Sequence, residues 1–188
     1  MRTRPDSKFQ ILGSTRSGFT LVEILVVIGV TALLSSLIVT YTSTSRDQVA
    51  LSIEQAKLAQ MVSRAKSLSL ATYGREEVPC GYGVYIDYSL QEYTLFAYPP
   101  GACADIPRVD PDTVMNNAVD KVALPKNVRL RASEDALGAV LFIPPDPRTL
   151  IWQSGDNATS TFGKIILNPP SGSPQKSVEV GVGGQITF

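Results

Sequence analysis

The sequence Gly18-Phe19-Thr20-Leu21-Val22-Glu23, followed by the apolar run Ile24 to Val39, decides how this chain is built. Glu23 is the only charged residue in this stretch, and a carboxylate is expensive in a segment apolar enough for a bilayer, so it usually has a function there. At about 1.5 Å per residue, the helix from Phe19 to Val39 covers a hydrocarbon core of roughly 30 Å. The stretch therefore predicts a membrane-spanning helix with a functional glutamate near its start.

The residues before this helix differ from the rest of the chain in charge. Residues 1–18 contain four basic residues and one acidic residue, a net charge of +3, whereas the remainder of the 188-residue chain carries −3. A basic flank before an apolar segment stays in the cytoplasm, and the other side of the segment crosses the membrane. We therefore expect a leader at residues 1–18 that takes no part in the fold, and an extracytoplasmic C-terminal part.

The basic leader, Gly18, the aromatic Phe19, Glu23 and the apolar run together resemble the prepilin signal of the type IV pilin family, which includes the pseudopilins of type II secretion. This resemblance implies that a prepilin peptidase cuts between Gly18 and Phe19 and N-methylates Phe19. It also implies that Glu23 acts in assembly, where it meets the amino group of Phe19 in a neighbouring subunit. Two opposite charges in hydrocarbon are tolerable as a pair, although each is costly alone.

Two other interpretations of this stretch remain open. The apolar run is compatible with a plain signal anchor, although an anchor needs no glutamate near its start. Glu23 is also compatible with an ordinary glutamate near a helix N-terminus, where the helix dipole favours it. The serine and threonine residues of the run do not prevent spanning, because their hydroxyls can return to the helix backbone.

The sequence from Tyr41 to Thr72 is more polar, but it contains no proline and no glycine, so the helix is predicted to continue. Gly74 is predicted to end it. We expect one helix from Phe19 to Tyr73, with a membrane or filament-core part at 19–40 and an amphipathic part at 41–74. Its apolar stripe has spacings of three, four and seven, with charged residues largely off the stripe. The stripe is Leu51, Leu58, Met61, Val62, Ala65 and Leu68, and the charged residues are Arg46, Asp47, Glu54, Lys57, Arg64 and Lys66.

The remaining part, 75–188, contains short β-prone runs separated by turn residues. Val84 to Tyr88 and Glu92 to Tyr98 predict a hairpin, and the proline-rich stretch Pro99 to Asn117 predicts a long loop. Trp152 is expected to pack in a sheet. Further strands are predicted at 128–132, 139–143, 149–153, 163–167, 177–182 and 185–188. The expected fold class is α+β, in which the amphipathic half of the helix packs on an antiparallel β-sheet head, as in the pilin-like fold.

The second half of the chain carries a resemblance of its own. Val78-Pro79-Cys80 shortly after the long helix, an early hairpin, and an ending of Val178-Glu179-Val180 and Gly183-Gly184-Gln185-Ile186 are similar to GspH/FimT-like minor pilins and pseudopilins. This resemblance implies a minor structural subunit that primes or tips a filament. The expected partners are a prepilin peptidase, the inner membrane and other pilin or pseudopilin subunits. The expected location is the inner membrane, then a filament in the periplasm or at the cell surface.

The chain has two cysteines, Cys80 and Cys103, and both lie in the part expected outside the cytoplasm. An even count in an exported domain favours a disulfide. Closing a loop of about 24 residues would stabilise the head by roughly 3 kcal/mol on the chain-entropy model. The alternative is two free buried thiols.

Catalysis by the chain itself is not expected. It contains no histidine, which removes the commonest general base and metal ligand, and no serine or cysteine stands in a recognisable nucleophile motif. No cofactor is predicted. Asp105, Asp110, Asp112 and Asp120 are near one another in sequence, but their spacing matches no ordered calcium loop. We expect a solvated acidic loop there and predict no metal site.

DNA binding in natural uptake is the rival function, since some FimT-type minor pilins bind DNA. Such binding needs a cluster of lysine and arginine to contact phosphates. Lys126, Arg129 and Arg131 form a small basic group. The segment Ile165 to Phe188, in contrast, contains a single basic residue, Lys176. The sequence therefore favours a filament subunit and keeps a DNA-binding minor pilin as the alternative.

Overall fold

The computed structural model describes residues 18–74, 78–101, 103, 106, 108–145, 148–156 and 159–188, and the side chains of residues 39–44 fall outside the description. The expected leader lies outside the described residues except for Gly18. The chain divides into two compact units between Thr42 and Ser43, and each unit is described by itself.

Helix α1 spans Leu21–Thr72, close to the predicted bounds. Gly74 follows the helix with a φ of 85°, a left-handed conformation that glycine adopts without strain, so its predicted position just past the helix is confirmed. In the first unit, the segment Leu21–Ile38 has a mean hydropathy of 2.5, and none of it is buried within the chain. By length and composition this segment can cross a membrane.

The described part of the second unit forms two antiparallel sheets. The strands are β1 (Gly81–Asp87), β2 (Glu92–Tyr98), β3 (Ala118–Ala123), β4 (Arg129–Arg131), β5 (Leu137–Ile143), β6 (Arg148–Gln153), β7 (Thr159–Ser160), β8 (Phe162–Asn168), β9 (Lys176–Gly181) and β10 (Ile186–Thr187). A larger six-stranded sheet has the order β3-β2-β1-β5-β6-β7, and a smaller four-stranded sheet has the order β10-β9-β8-β4. The predicted α+β class, the hairpin and the later strands are confirmed.

Two strands and one helix differ from the prediction. β3 and β7 were not predicted, and the stretch predicted to be a long loop contains the short helix α2 (Pro111–Asn116). β3 is an edge strand whose side chains are all exposed or half-buried, so its sequence lacks the apolar alternation of an inner strand. Pro111 occupies the first turn of α2, where its missing N–H costs nothing, and Asp110 precedes it at the N-cap position.

The amphipathic half of α1 packs against both sheets of the second unit. The predicted stripe is confirmed, because Leu51, Leu58, Met61, Val62 and Ala65 are buried and Leu68 is half-buried. The stripe shares one core with inward-facing residues of the larger sheet, such as Val84 and Val140, and of the smaller sheet, such as Ile165 and Val178. Trp152 is buried in a second cluster with Phe96 and Leu141, as predicted for sheet packing.

Glu54 corrects the predicted charged face of α1. The sequence predicts it to lie largely off the stripe, but its side chain is only 5% exposed and its Oε1 lies 2.7 Å from Lys57 Nζ. Glu54 lies three residues after Leu51 and four before Leu58, so helical spacing puts it on the buried face. Lys57 is half exposed and reaches back to it, which allows the carboxylate to remain at the core boundary.

Side-chain hydrogen bonds connect α1 with a sheet, and the two sheets with each other, within the second unit. Gln55 Nε2 donates to the carbonyl of Ser177 at 2.7 Å, which ties α1 to β9. Gln91 has a left-handed φ of 57° in the turn between β1 and β2. Its Oε1 accepts from the N–H of Leu130 at 2.7 Å, and its Nε2 donates to the carbonyl of Leu130 at 3.2 Å. This side chain therefore joins the hairpin of the larger sheet to β4 of the smaller one.

Candidate functional site

The predicted processing site lies immediately before α1. Gly18, Phe19 and Thr20 are exposed and precede the first helical residue, and Phe19 is 76% exposed. The peptide bond between Gly18 and Phe19 thus lies outside the regular hydrogen bonding of the helix. Exposed, non-helical backbone of this kind is accessible to a peptidase.

Thr20 caps the N-terminus of α1. Its Oγ1 accepts a hydrogen bond from the N–H of Glu23 at 3.3 Å, and its carbonyl accepts from the N–H groups of Glu23 and Ile24 at 3.1 and 3.2 Å. These bonds satisfy N–H groups that a helix start leaves without partners. Thr20 was not predicted as a site residue. The signal that indicates it is the pair Thr20 and Glu23, three residues apart, which is the pattern of a capping box.

Glu23 lies in the first turn of α1 and is exposed. A carboxylate in the first turn is stabilised by the partial positive charge of the helix N-terminus. This position by itself therefore lowers the free-energy cost of the charge on Glu23. Its separation from Phe19 along the chain is four residues. The carboxylate therefore lies close in sequence to the residue that would carry the new amino group after cleavage.

The hydroxyl groups of the apolar segment are satisfied by its own backbone, as expected. Thr31 Oγ1 donates to the carbonyl of Ile28 at 3.0 Å, Ser35 Oγ to that of Thr31 at 2.7 Å, and Ser36 Oγ to that of Leu33 at 2.9 Å. Such internal bonds remove much of the cost of placing a hydroxyl in lipid. Glu23 is then the polar group of this segment that most needs an external partner.

The two cysteines of the head are joined in the structure. A disulfide connects Cys80 and Cys103, whose Cα atoms are 5.3 Å apart. Cys80 is buried just before β1, and its N–H donates to the carbonyl of Tyr98 at 2.9 Å. The bond therefore ties the segment that follows β2 back to the base of the hairpin.

The acidic residues do not form a metal site in the described part of the chain. Asp110 and Asp112 are exposed at the start of α2, whereas Asp120 lies on β3, with its Oδ2 2.6 Å from Arg64 Nη1. Asp105 lies outside the described residues. Among the residues that the structure describes, no group of three or more potential metal ligands is present.

The predicted basic group is exposed on the edge of the smaller sheet. Arg129 and Arg131 flank the buried Leu130 on β4, and Lys126 is exposed in the turn before it. The three cations therefore share one region of the surface. No ion pair involving either arginine occurs within the described part of the chain.

Comparison with known families recovers the N-terminal segment. Residues 13–39 match the family model described as the prokaryotic N-terminal methylation motif. The chain gave no match among the curated proteins or the solved structures with which it was compared. The matched segment contains Gly18, Phe19, Thr20 and Glu23, together with the whole apolar segment Leu21–Ile38.

The motif defines a class of prokaryotic proteins that carry an N-terminal methylation signal. Within that class, the chain carries the type IV pilin signal, and the predicted resemblance of this segment is confirmed. The motif supports a type IV pilin or pseudopilin precursor, and it suggests a structural subunit rather than an enzyme. It also implies processing by a prepilin peptidase and assembly with other pilins, and the apolar helix fits membrane anchoring.

Proposed function

We propose that this chain is a minor structural subunit of a type IV pilus or of a type II secretion pseudopilus. A prepilin peptidase cuts between Gly18 and Phe19 and N-methylates Phe19. The observation that carries the proposal is the match of residues 13–39 to the methylation motif, because that match coincides with an exposed apolar helical segment. The short exposed stretch before α1 supports the position of the cut.

In this proposal, the positive charge of the leader determines how the chain is oriented across the membrane. The leader, with its net charge of +3, stays in the cytoplasm, and the second unit lies outside the inner membrane. The disulfide between Cys80 and Cys103 supports an exported head, because disulfides persist in oxidising compartments. The Val78-Pro79-Cys80 sequence before β1 and the early hairpin support the minor, GspH/FimT-like subtype.

Assembly moves the apolar segment Leu21–Ile38 from lipid into the core of a filament. Its exposed apolar side chains contact acyl chains before assembly and the helices of neighbouring subunits after it. Lipid tails are as apolar as these side chains, so the transfer gains little from the hydrophobic effect. Close packing and polar pairing between neighbouring helices must therefore determine how the subunits fit together.

Glu23 provides that polar pairing. Cleavage leaves an amino group on Phe19, and in an assembled filament the carboxylate of Glu23 lies against that group of a neighbouring subunit. An unpaired charge in hydrocarbon is costly, whereas the pair is tolerable. A subunit placed out of register would leave both charges unpaired, so the pair also selects the correct register.

The experiment separates the charge of Glu23 from its position at the helix start. Glu23→Gln removes the charge and keeps a side chain that suits a capping box, whereas Thr20→Ala removes the observed cap and keeps the carboxylate. Cells that express each variant are assayed for leader cleavage and for incorporation of the subunit into filaments. We expect Glu23→Gln and Glu23→Ala to insert and be cleaved normally but to be incorporated poorly.

Thr20→Ala is the control, and it should be incorporated much better than either Glu23 variant. Normal incorporation of Glu23→Gln would contradict the role of the charge. A loss for Thr20→Ala as large as that for Glu23→Gln would instead assign the effect to the helix start.

DNA binding in natural uptake is a second candidate, favoured by the exposed Arg129 and Arg131 on edge strand β4. In a gel shift with double-stranded DNA at low salt, this function requires binding that salt weakens and that the double change Arg129→Ala and Arg131→Ala reduces. Arg46→Ala, an exposed arginine on α1, is the matched control. Equal binding by all three proteins would exclude a β4 site.

A further inference from the structure

The turn between β1 and β2 exposes a leucine at its tip. Leu90 is 61% exposed, whereas Ile86 before the turn and Tyr93 after it are buried in the core. The polar groups of the turn are bonded within it. Asp87 Oδ1 accepts hydrogen bonds from the hydroxyl and N–H of Ser89 and from the N–H of Leu90. The tip can therefore lose water at a lower cost than a turn whose N–H groups depend on solvent.

Gln91 fixes this tip beside two other exposed segments. Its backbone carbonyl accepts a hydrogen bond from the N–H of Leu124 at 3.0 Å, at the start of the turn that contains Lys126. Its side chain binds both the N–H and the carbonyl of Leu130 on β4. The tip of the hairpin, the turn after β3 and strand β4 therefore meet at one residue.

The surface that these three segments form is basic. Lys126, Arg129 and Arg131 are exposed on it. The segments 87–91 and 124–131 contain these three cations and a single carboxylate, a net charge of +2. We call the surface formed by the exposed side chains Leu90, Lys126, Arg129 and Arg131 the hairpin patch.

The carboxylates around the hairpin patch leave its positive charge in excess. Asp87 accepts the hydrogen bonds of the turn through Oδ1, and Glu92 forms an ion pair with Lys121. The acidic residues 134–135 follow β4 in another turn, which is hydrogen-bonded to β8. The patch therefore combines an exposed apolar side chain with exposed cations.

This combination suits the surface of an anionic membrane. Interfacial binding joins the burial of apolar side chains among lipid head groups to the attraction between basic residues and anionic lipids. Contacts to a nucleic acid backbone, in contrast, come mainly from cations and polar groups and leave an exposed leucine without a role. A lipid surface is also close along the chain, because the second unit begins at Ser43, soon after the apolar segment ends at Ile38. Such a tether raises the effective concentration of lipid around the head.

We propose that the hairpin patch docks the head on an anionic phospholipid surface. Leu90 inserts among the head groups, and the three cations contact lipid phosphates. The proposal goes beyond the filament role and does not depend on it. It gives the chain a second, weak attachment to a membrane, which can be released while the apolar helix stays in lipid.

The experiment uses the full chain in nanodiscs of phosphatidylcholine, so that the apolar helix is already in lipid. The discs are mixed with vesicles of phosphatidylglycerol or of phosphatidylcholine, and the fraction of discs that floats with the vesicles is measured. We expect discs that carry the chain to bind phosphatidylglycerol vesicles, and added salt to weaken this binding. On phosphatidylcholine vesicles they should bind no better than empty discs.

Variants of exposed residues separate the two parts of the hairpin patch, and all of them should fold. Leu90→Ser should weaken binding to phosphatidylglycerol vesicles about tenfold. The double change Arg129→Ala and Arg131→Ala should weaken it about thirtyfold. Leu70→Ser and Arg46→Ala, which alter an exposed leucine and an exposed arginine of α1, are the matched controls and should bind like the wild type.

The proposal is overturned if discs that carry the chain bind phosphatidylglycerol vesicles no better than empty discs. It is also overturned if Leu90→Ser binds these vesicles as the wild type does. A loss confined to the arginine variant would show that no apolar side chain inserts, and it would leave Arg129 and Arg131 to the DNA-binding function.

Discussion

The buried hydroxyl of Ser69 donates a hydrogen bond of 2.7 Å to the backbone carbonyl of Phe142. The same hydroxyl accepts a hydrogen bond of 2.9 Å from the N–H of Tyr82. Tyr82 and Phe142 are register partners on β1 and β5, at one end of their pairing. Ser69 of α1 therefore stands between a donor and an acceptor of two neighbouring strands, and it fastens the helix to the larger sheet.

Ser69→Ala should lower the free energy of unfolding by about 2 kcal/mol, because it leaves a part-buried N–H and a buried carbonyl without their partner. Chemical denaturation of the full chain in micelles, followed by circular dichroism of the β-rich head, measures this loss. Ser67→Ala, an exposed serine on the same helix, is the control and should change stability little. Equal stability of the two variants would show that the Ser69 hydroxyl contributes nothing.

Gly83 lies where β1 closely approaches both of its neighbouring strands. A Cβ at this position would be 2.7 Å from Cζ of Phe96 and would also collide with the backbone carbonyl of Val140. Gly83→Ala should therefore destabilise the head by about 3 kcal/mol. Gly181 is the matched control, because a Cβ there meets no atom within 4 Å. A thermal melt in which both variants match the wild type would contradict the close packing at Gly83.

The disulfide between Cys80 and Cys103 should stabilise the head by about 3 kcal/mol, chiefly by restricting the unfolded chain. Replacing both cysteines with serine should lower the denaturant midpoint by a corresponding amount. Adding a reductant should then lower the midpoint of the wild type and leave that of the double variant unchanged. A midpoint of the wild type that does not respond to reductant under unfolding conditions would contradict this contribution.

Asp87 gives the hairpin turn a pH-dependent stability. Its partial burial raises the pKa, but hydrogen bonds to its Oδ1 from the hydroxyl and N–H of Ser89 and from the N–H of Leu90, together with the charge of Lys121, outweigh that effect. The pKa of Asp87 is therefore lowered below 3.8. Stability from a carboxyl with a lowered pKa is present above the unfolded pKa and is lost as the pH falls through the folded one.

Asp87→Ala should consequently destabilise the head at neutral pH, and the difference from the wild type should shrink as the pH falls below 3.8. Urea unfolding at a series of pH values measures this difference. Asp156→Ala, at an exposed aspartate, serves as the control. A difference between Asp87→Ala and the wild type that stays constant at low pH would show that the ionised carboxylate is not its source.

The amphipathic half of α1 was predictable because its apolar residues repeat with a helical period and nothing interrupts them before Gly74. The prediction for Glu54 is wrong because a charged residue usually marks the exposed face of a helix, whereas here the exposed end of Lys57 neutralises a carboxylate at the core boundary. β3 was missed because an edge strand pairs through its backbone and needs few apolar side chains. Helix α2 was not predicted because it lies in a proline-rich stretch, and proline is typical of loops as well as of the first turn of a helix.

The site was predictable where the motif is local. Gly18, Phe19 and Glu23 lie within six residues, so the roles proposed for them rest on one short segment, and the same segment also contains the Thr20 cap. Pairs such as Arg64 and Asp120 depend on how α1 packs against an edge strand that carries no clear sequence signal.

The measurement that tests the central claim most directly is the intact mass of the chain after co-expression with a prepilin peptidase. The account predicts a mature protein made of residues 19–188 with one added methyl group and with methylated Phe19 as its first residue. A chain that keeps residues 1–18 in the presence of an active peptidase, or one cut at another bond, would contradict it.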